Sequence, residues 1–115
     1  MAKFDAKALR EKVLSTDDIQ FDEVYVPEWD VTLPVRTIPS NDLKKITKFR
    51  DDPIRFAILA VIYGCKTKDG EAVFTETDLA KFENEKSFGP IQRVAGRVLE
   101  LSGLTDEAVD EAKKY

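Results

Sequence analysis

Histidine does not occur in this chain of 115 residues, which removes the side chain most often used for proton transfer at neutral pH, metal ligation and activation of a nucleophile. Cysteine occurs once, as Cys65, so no internal disulfide can form and no imidazole stands ready to draw off the thiol proton. A lone cysteine after an apolar helix reads as a small hydrophobe in a protein made and used in a reducing cytoplasm. The glycines, at 64, 70, 89, 96 and 103, are too scattered to cradle a phosphate with either P-loop or Rossmann spacing. Long apolar runs are missing as well. "FAILAVIYG", residues 56–64, falls far short of the roughly 20 residues that cross a bilayer. The opening "MAKFDAKALREKVLS" has neither the apolar block nor the cleavage site of a signal peptide. These absences argue against a hydrolase, a nucleotide enzyme, a membrane protein and an exported one. The expectation is a non-enzymatic protein with no cofactor, no metal and no membrane partner.

Net positive charge is also lacking. A formal charge of −4 and a pI near 4.9 repel phosphate backbones. The best basic stripe, Lys44, Lys45, Lys48 and Arg50, carries no interleaved aromatic pair and is followed at once by Asp51 and Asp52. It reads as a solvated helix face, and no nucleic-acid partner is expected. The window from Cys65 to Glu76 has the length of a calcium loop and places Asp69, Gly70 and Glu76 suitably, but Cys65 and Thr67 stand where carboxylates belong. An Asp-Gly turn followed by a helix cap explains the same residues. The acids Asp17-Asp18, Asp51-Asp52 and Glu28 with Asp30 read as caps and solvated charge.

What is present is the balance of a folding domain: 43% hydrophobic and 35% charged residues, in a length that supports one core, give a single domain over residues 1–115. Apolar spacing at Ala6, Leu9, Val13 and Leu14 predicts a short helix over 5–14. Period-two stretches over 19–26 and 31–38 predict a β-hairpin around "PEWD", with Pro34 restricting the second strand to an edge or a bulge. Ser40 is placed to cap a helix over 41–49, and Asp52-Pro53 to open one that runs to Tyr63 and stops at Gly64. A minimal hairpin over 65–74 turns at Asp69-Gly70, and Thr75 with Asp78 opens a helix to about Phe82. Ser87 or Gly89-Pro90 starts the best amphipathic helix, which Gly103 ends, and a charged segment "DEAVDEAKKY" follows. Leu59, Ile62, Ile91, Val98 and Leu101 are expected to be buried. The fold class is therefore α+β and mostly helical: a short N-terminal helix, a β-hairpin, then about four to five helices in one compact domain.

The chain holds one tryptophan, Trp29, set between acids at the hairpin turn. Packing of the tip against a helix is the plain explanation, and an aromatic flanked by acids on a turn is also how interface anchors look. Pro27, Glu28, Trp29 and Asp30 are accordingly the candidate partner-binding residues.

The stretch "STDDIQFDEVYVPEWDVTLPVRTI", with its acidic pair, strand, V-P-E-W, strand and V-R order, resembles the tail assembly chaperones of long-tailed bacteriophages. "CKTKDGEAVFTETDL" and "LELSGLTDEAVDEAKK" extend the resemblance over most of the chain. Asp30 stands where a glycine is common after the tryptophan, Pro34 interrupts the second strand, and "PSND" replaces a small-residue-glycine turn. The resemblance implies a protein of the host cytoplasm, absent from the mature virion, that binds the tape-measure protein and promotes assembly of tail-tube protein around it. Such a protein would cover apolar seams of the tape-measure helix in an amphipathic groove, and its self-association is expected to be weak. The rival class is a structural virion subunit such as a head-tail connector or tail-terminator protein, which needs a stable ring interface.

Family members are often made in two lengths by a backward ribosomal slip. The chain ends "DEAKKY", where the lysine pair also complements a helix dipole, worth about 0.3–1 kcal/mol. If Ala112, Lys113 and Lys114 are encoded GCA AAA AAG, the message holds the slippery run A AAA AAG. The nucleotide sequence is expected to show that run with an open frame one nucleotide back. The absence of either one removes the two-product expectation and leaves the resemblance standing.

Overall fold

Residues 53–64, "PIRFAILAVIYG", are apolar on every side, so a helix built from them is stable only if it is wrapped by the rest of the chain. The computed structural model describes residues 4–104 and places this segment at the centre. Its elements are α1 (Ala6–Ser15), β1 (Phe21–Val26), β2 (Val31–Arg36), α2 (Ser40–Thr47), α3 (Pro53–Gly64), a 3₁₀ turn (Glu76–Asp78), α4 (Leu79–Glu85) and α5 (Phe88–Leu101). The Asp52 side chain accepts the Arg55 N–H at 3.1 Å and Pro53 takes the first helical position, so α3 begins where the sequence predicts. All of α3 from Ala57 to Ile62 is buried.

The main partner of α3 is α5, whose buried stripe is Pro90, Ile91, Val94, Ala95 and Val98. The two helices approach so closely at Gly64 that a Cβ there would lie 2.3 Å from Cγ1 of Val98. The C-terminus of α5 closes with Gly103 at φ +75°, while the Leu104 N–H donates to the Leu99 carbonyl and the Gly103 N–H to that of Glu100. That pair of bonds satisfies carbonyls the helix leaves open.

β1 and β2 pair antiparallel without a bulge, Val26 opposite Val31 and Phe21 opposite Arg36. Because the Thr37 N–H bonds the Gln20 carbonyl, alternation along the ladder puts Pro34 in a non-hydrogen-bonded pair with Glu23. Its missing N–H therefore costs the sheet nothing. Val26, Leu33 and Val35 face the core, with Val24 packed beside them. Beyond β2 the chain is stitched to the end of α5. The Thr37 hydroxyl donates to the Leu101 carbonyl at 3.1 Å, and Ser102 Oγ accepts the Ile38 N–H at 2.9 Å. Arg36 donates to the Tyr63 carbonyl at 3.2 Å and faces Asp42, which ties the hairpin to α3 and α2.

The α+β, mostly helical architecture is as predicted, and several local expectations are corrected. Ser40 is the first residue of α2 and not its cap; the Pro39 carbonyl accepts from Asp42 and Leu43, because proline's fixed φ already presents it to the first turn. α2 ends at Thr47, two residues early, as the chain tightens into three-residue turns at Phe49 and Arg50. The 65–74 stretch forms one bridge, Lys66 with Ala72, around Gly70 at φ +91°. The Thr75–Asp78 capping box opens a 3₁₀ turn before α4, which continues to Glu85. Leu59, Ile62, Ile91 and Val98 are buried as expected, whereas Leu101, in the last turn of α5, is only partly so. The N-terminal helix forms under an Asp5 cap, but none of its residues is buried. The charged segment over 106–115 lies outside the described residues.

Gly64→Ala drives a methyl into Val98, and such overpacking costs about 1–3 kcal/mol. Denaturant unfolding should show that loss, and Gly64→Ala with Val98→Ala should recover part of it; a neutral single substitution would mean that the crossing can open without cost.

Candidate partner-binding site

The hairpin turn is made by residues 27–30. The Trp29 N–H donates to the Val26 carbonyl at 3.1 Å and the Asp30 N–H to the Pro27 carbonyl at 3.2 Å, so the backbone turns back on itself in four residues. Closing the turn forces Asp30 to φ +49°, the left-handed region, which aspartate tolerates better than most residues. The Tyr25 hydroxyl donates to Asp30 Oδ1 at 3.2 Å across the base of the turn.

Pro27, Glu28 and Asp30 are exposed at the tip, and Trp29 is half-buried. Its ring meets that of Phe82 on α4, with centroids 6.3 Å apart and planes tilted by 54°. Phe82 in turn receives Phe74 edge-on at 5.1 Å, so the tip rests on a row of three aromatics. Glu28 is gripped by both terminal nitrogens of Arg93 on α5, the second at 3.2 Å. One turn further along, Arg97 Nε bonds Asp22 at 2.7 Å while its Nη1 reaches Glu100 at 3.1 Å. The hydrogen bonds from Arg93 and Arg97 hold the Glu28 and Asp22 carboxyls below the usual carboxylate range. Both clamps are solvent-facing and fix the hairpin's position on α5 more than they stabilise it.

Next to the aromatic row lies a cleft of about 110 Å³, lined by Phe74, Asp78, Lys81, Phe82 and Lys86. Its walls are chiefly apolar. The Asp78 carboxylate is occupied with the Thr75 N–H at 3.0 Å. Lys81 and Lys86 are exposed and make no ion pair among the described residues.

The structure thus keeps Pro27, Glu28, Trp29 and Asp30 together at one tip and adds Phe74, Phe82, Lys81, Lys86 and Arg93, which sequence reasoning did not connect with them. Arg93 was legible only as part of α5's polar face, and nothing local joins residue 29 to residue 82. Elsewhere, Cys65 is buried and free, its thiol pushed up to about 12 by desolvation, so it stays protonated and inert. Among the described residues no group of three or more His, Cys, Asp or Glu is placed to hold a metal ion, and no helix is long and apolar enough to cross a membrane.

The fold is a small α+β domain in which a two-stranded hairpin lies on a helical body and ends beside an aromatic cleft. That fold is shared with the tail assembly chaperone of bacteriophage HK97: the solved structure superposes with a TM-score of 0.63 over 84% of this chain and 94% of that one, at 16% sequence identity. At that identity the likeness is one of fold. No family model matches the chain, and no curated protein matches it.

Asp30→Ala loses both the Tyr25 hydrogen bond and aspartate's tolerance of the left-handed region, and is expected to cost about 1 kcal/mol. Asp30→Gly removes the strain and should stay within about 0.5 kcal/mol of the native protein. Equal losses for the two variants in denaturant unfolding would show that the backbone angle is not what selects the residue.

Proposed function

We propose that this protein is a non-enzymatic chaperone of phage tail assembly, which holds the tape-measure protein soluble in the host cytoplasm and promotes assembly of tail-tube protein around it. The observation that carries the reading is the shared fold, covering nearly all of a solved tail assembly chaperone. The surface is consistent with it: a half-buried tryptophan at an exposed tip, an apolar cleft beside it, and charged side chains around both. A small cleft of that kind suits one apolar side chain projecting from an amphipathic helix held in passing.

The test is co-expression with the tape-measure and tail-tube proteins of the same phage. The tape measure should be soluble only when the chain is present, and purified virions should contain none of the chain. Trp29→Ala should weaken retention of the tape measure beyond what its effect on melting temperature explains. Recovery of the chain from virions in ring-like stoichiometry would instead make it a structural subunit.

A further inference from the structure

The cleft beside Phe74 and Phe82 has a size and a charge that specify an occupant. An apolar cavity of roughly 150 Å³ accepts a benzene-sized ligand, so a cleft of about 110 Å³ has room for one aliphatic side chain and not for a helix. Trp29 packs on Phe82 but does not line the cleft, which leaves it open to solvent. Three charged residues line it. Asp78 spends its carboxylate on the capping box, while Lys81 and Lys86 contribute their stems to the wall and, among the described residues, keep unpaired ammonium groups in water. On a chain whose formal net charge is −4, two unpaired lysines beside one apolar cleft favour an incoming carboxylate next to an incoming apolar group.

We infer that this cleft is a docking pocket for a single large aliphatic side chain on a partner segment whose flanking residues are acidic. The aliphatic group packs on the cleft side of the Phe74–Phe82 pair, whose rings already meet edge-on, and the flanking carboxylates meet Lys81 and Lys86. The contact is small, so the pocket supplies selectivity and a modest share of the affinity. In taking the segment to be part of the tape-measure protein, the inference rests on the chaperone reading; in the chemistry of the segment, it does not.

The probes are three synthetic helical peptides of equal length: a leucine flanked by glutamates, the same leucine flanked by lysines, and the glutamate peptide with serine in place of leucine. Each is titrated into the isotope-labelled chain while backbone amide shifts are followed by NMR. The glutamate-leucine peptide should move the amides of Phe74, Lys81, Phe82 and Lys86 saturably. The other two should bind about fivefold more weakly or worse, as expected for the loss of two exposed ion pairs or of the anchor. The double variant Lys81→Glu/Lys86→Glu, at exposed positions, should keep its melting temperature and prefer the lysine-flanked peptide. Equal binding of both leucine peptides, shifts confined to other residues, or no shift at all would overturn the pocket. So would a native chain whose cleft shifts follow its own concentration without peptide, since the occupant would then be a second copy. If the peptide results hold but the native chain fails to keep the tape measure soluble, the chaperone reading falls and the pocket stands.

Discussion

The crossing of α3 and α5 at Gly64 is the contact on which the other placements depend. Val98 lies where a side chain at residue 64 would have to be, so the two helices meet backbone to side chain with no intervening layer. That contact sets the rotation of α5 about its axis, and α5 then carries the hairpin. Arg93 and Arg97, one turn apart, hold Glu28 and Asp22. The end of α5, through Leu101 and Ser102, holds Thr37 and Ile38 just beyond the second strand. A hairpin of two strands is marginal by itself, and this one is ordered because it is fastened to one helix at both ends.

At the tip, two kinds of contact compete to explain the geometry. The ion pairs are solvent-facing, and exposed pairs trade most of their Coulomb gain against hydration and side-chain entropy. The aromatic row buries area and excludes water, which makes Trp29 on Phe82 the more stabilising of the two and the arginine clamps the more directional. The division has a consequence for recognition. Trp29 contributes to the fold with one face, so on the proposed role a partner at the tip would meet an aromatic already held in place and need not immobilise a free side chain, one of the larger costs of association.

Much of the fold could be read from residue patterns because its elements carry local signals. Asp52-Pro53 starts α3 by physics confined to three residues, and the apolar spacing of α5 needs no knowledge of its partner. The turn at 27–30 was legible from proline and acids between two alternating runs. Where the reading failed, two neighbouring cues competed or a tertiary contact decided. Pro39 displaced Ser40 as the cap of α2 because a fixed φ outranks an unused hydroxyl. The N-terminal helix has helical spacing but no surface to lie on among the described residues, and Leu9 stays 49% exposed and Val13 69% exposed, which periodicity cannot foretell. The candidate site divided in the same way. Its tip was visible as a sequence oddity, while the cleft that gives the tip a neighbour is assembled from residues 74–86 and has no contiguous signature.

On the proposed role a transient holder must also release, and a small cleft bears on that requirement. A pocket for one side chain, rimmed by charges that water screens, would give an affinity that salt weakens and that competition displaces. The alternative, a long apolar groove, would hold a helical partner more tightly but would expose a sticky face whenever it was empty. Apolar burial is concentrated in α3 and α5, and on the proposed role charge at the edge of the cleft supplies the discrimination. On the proposed role, the tape measure would be covered by many weak copies and not by one strong one, and the polymerising tube would need only to outcompete each small contact in turn.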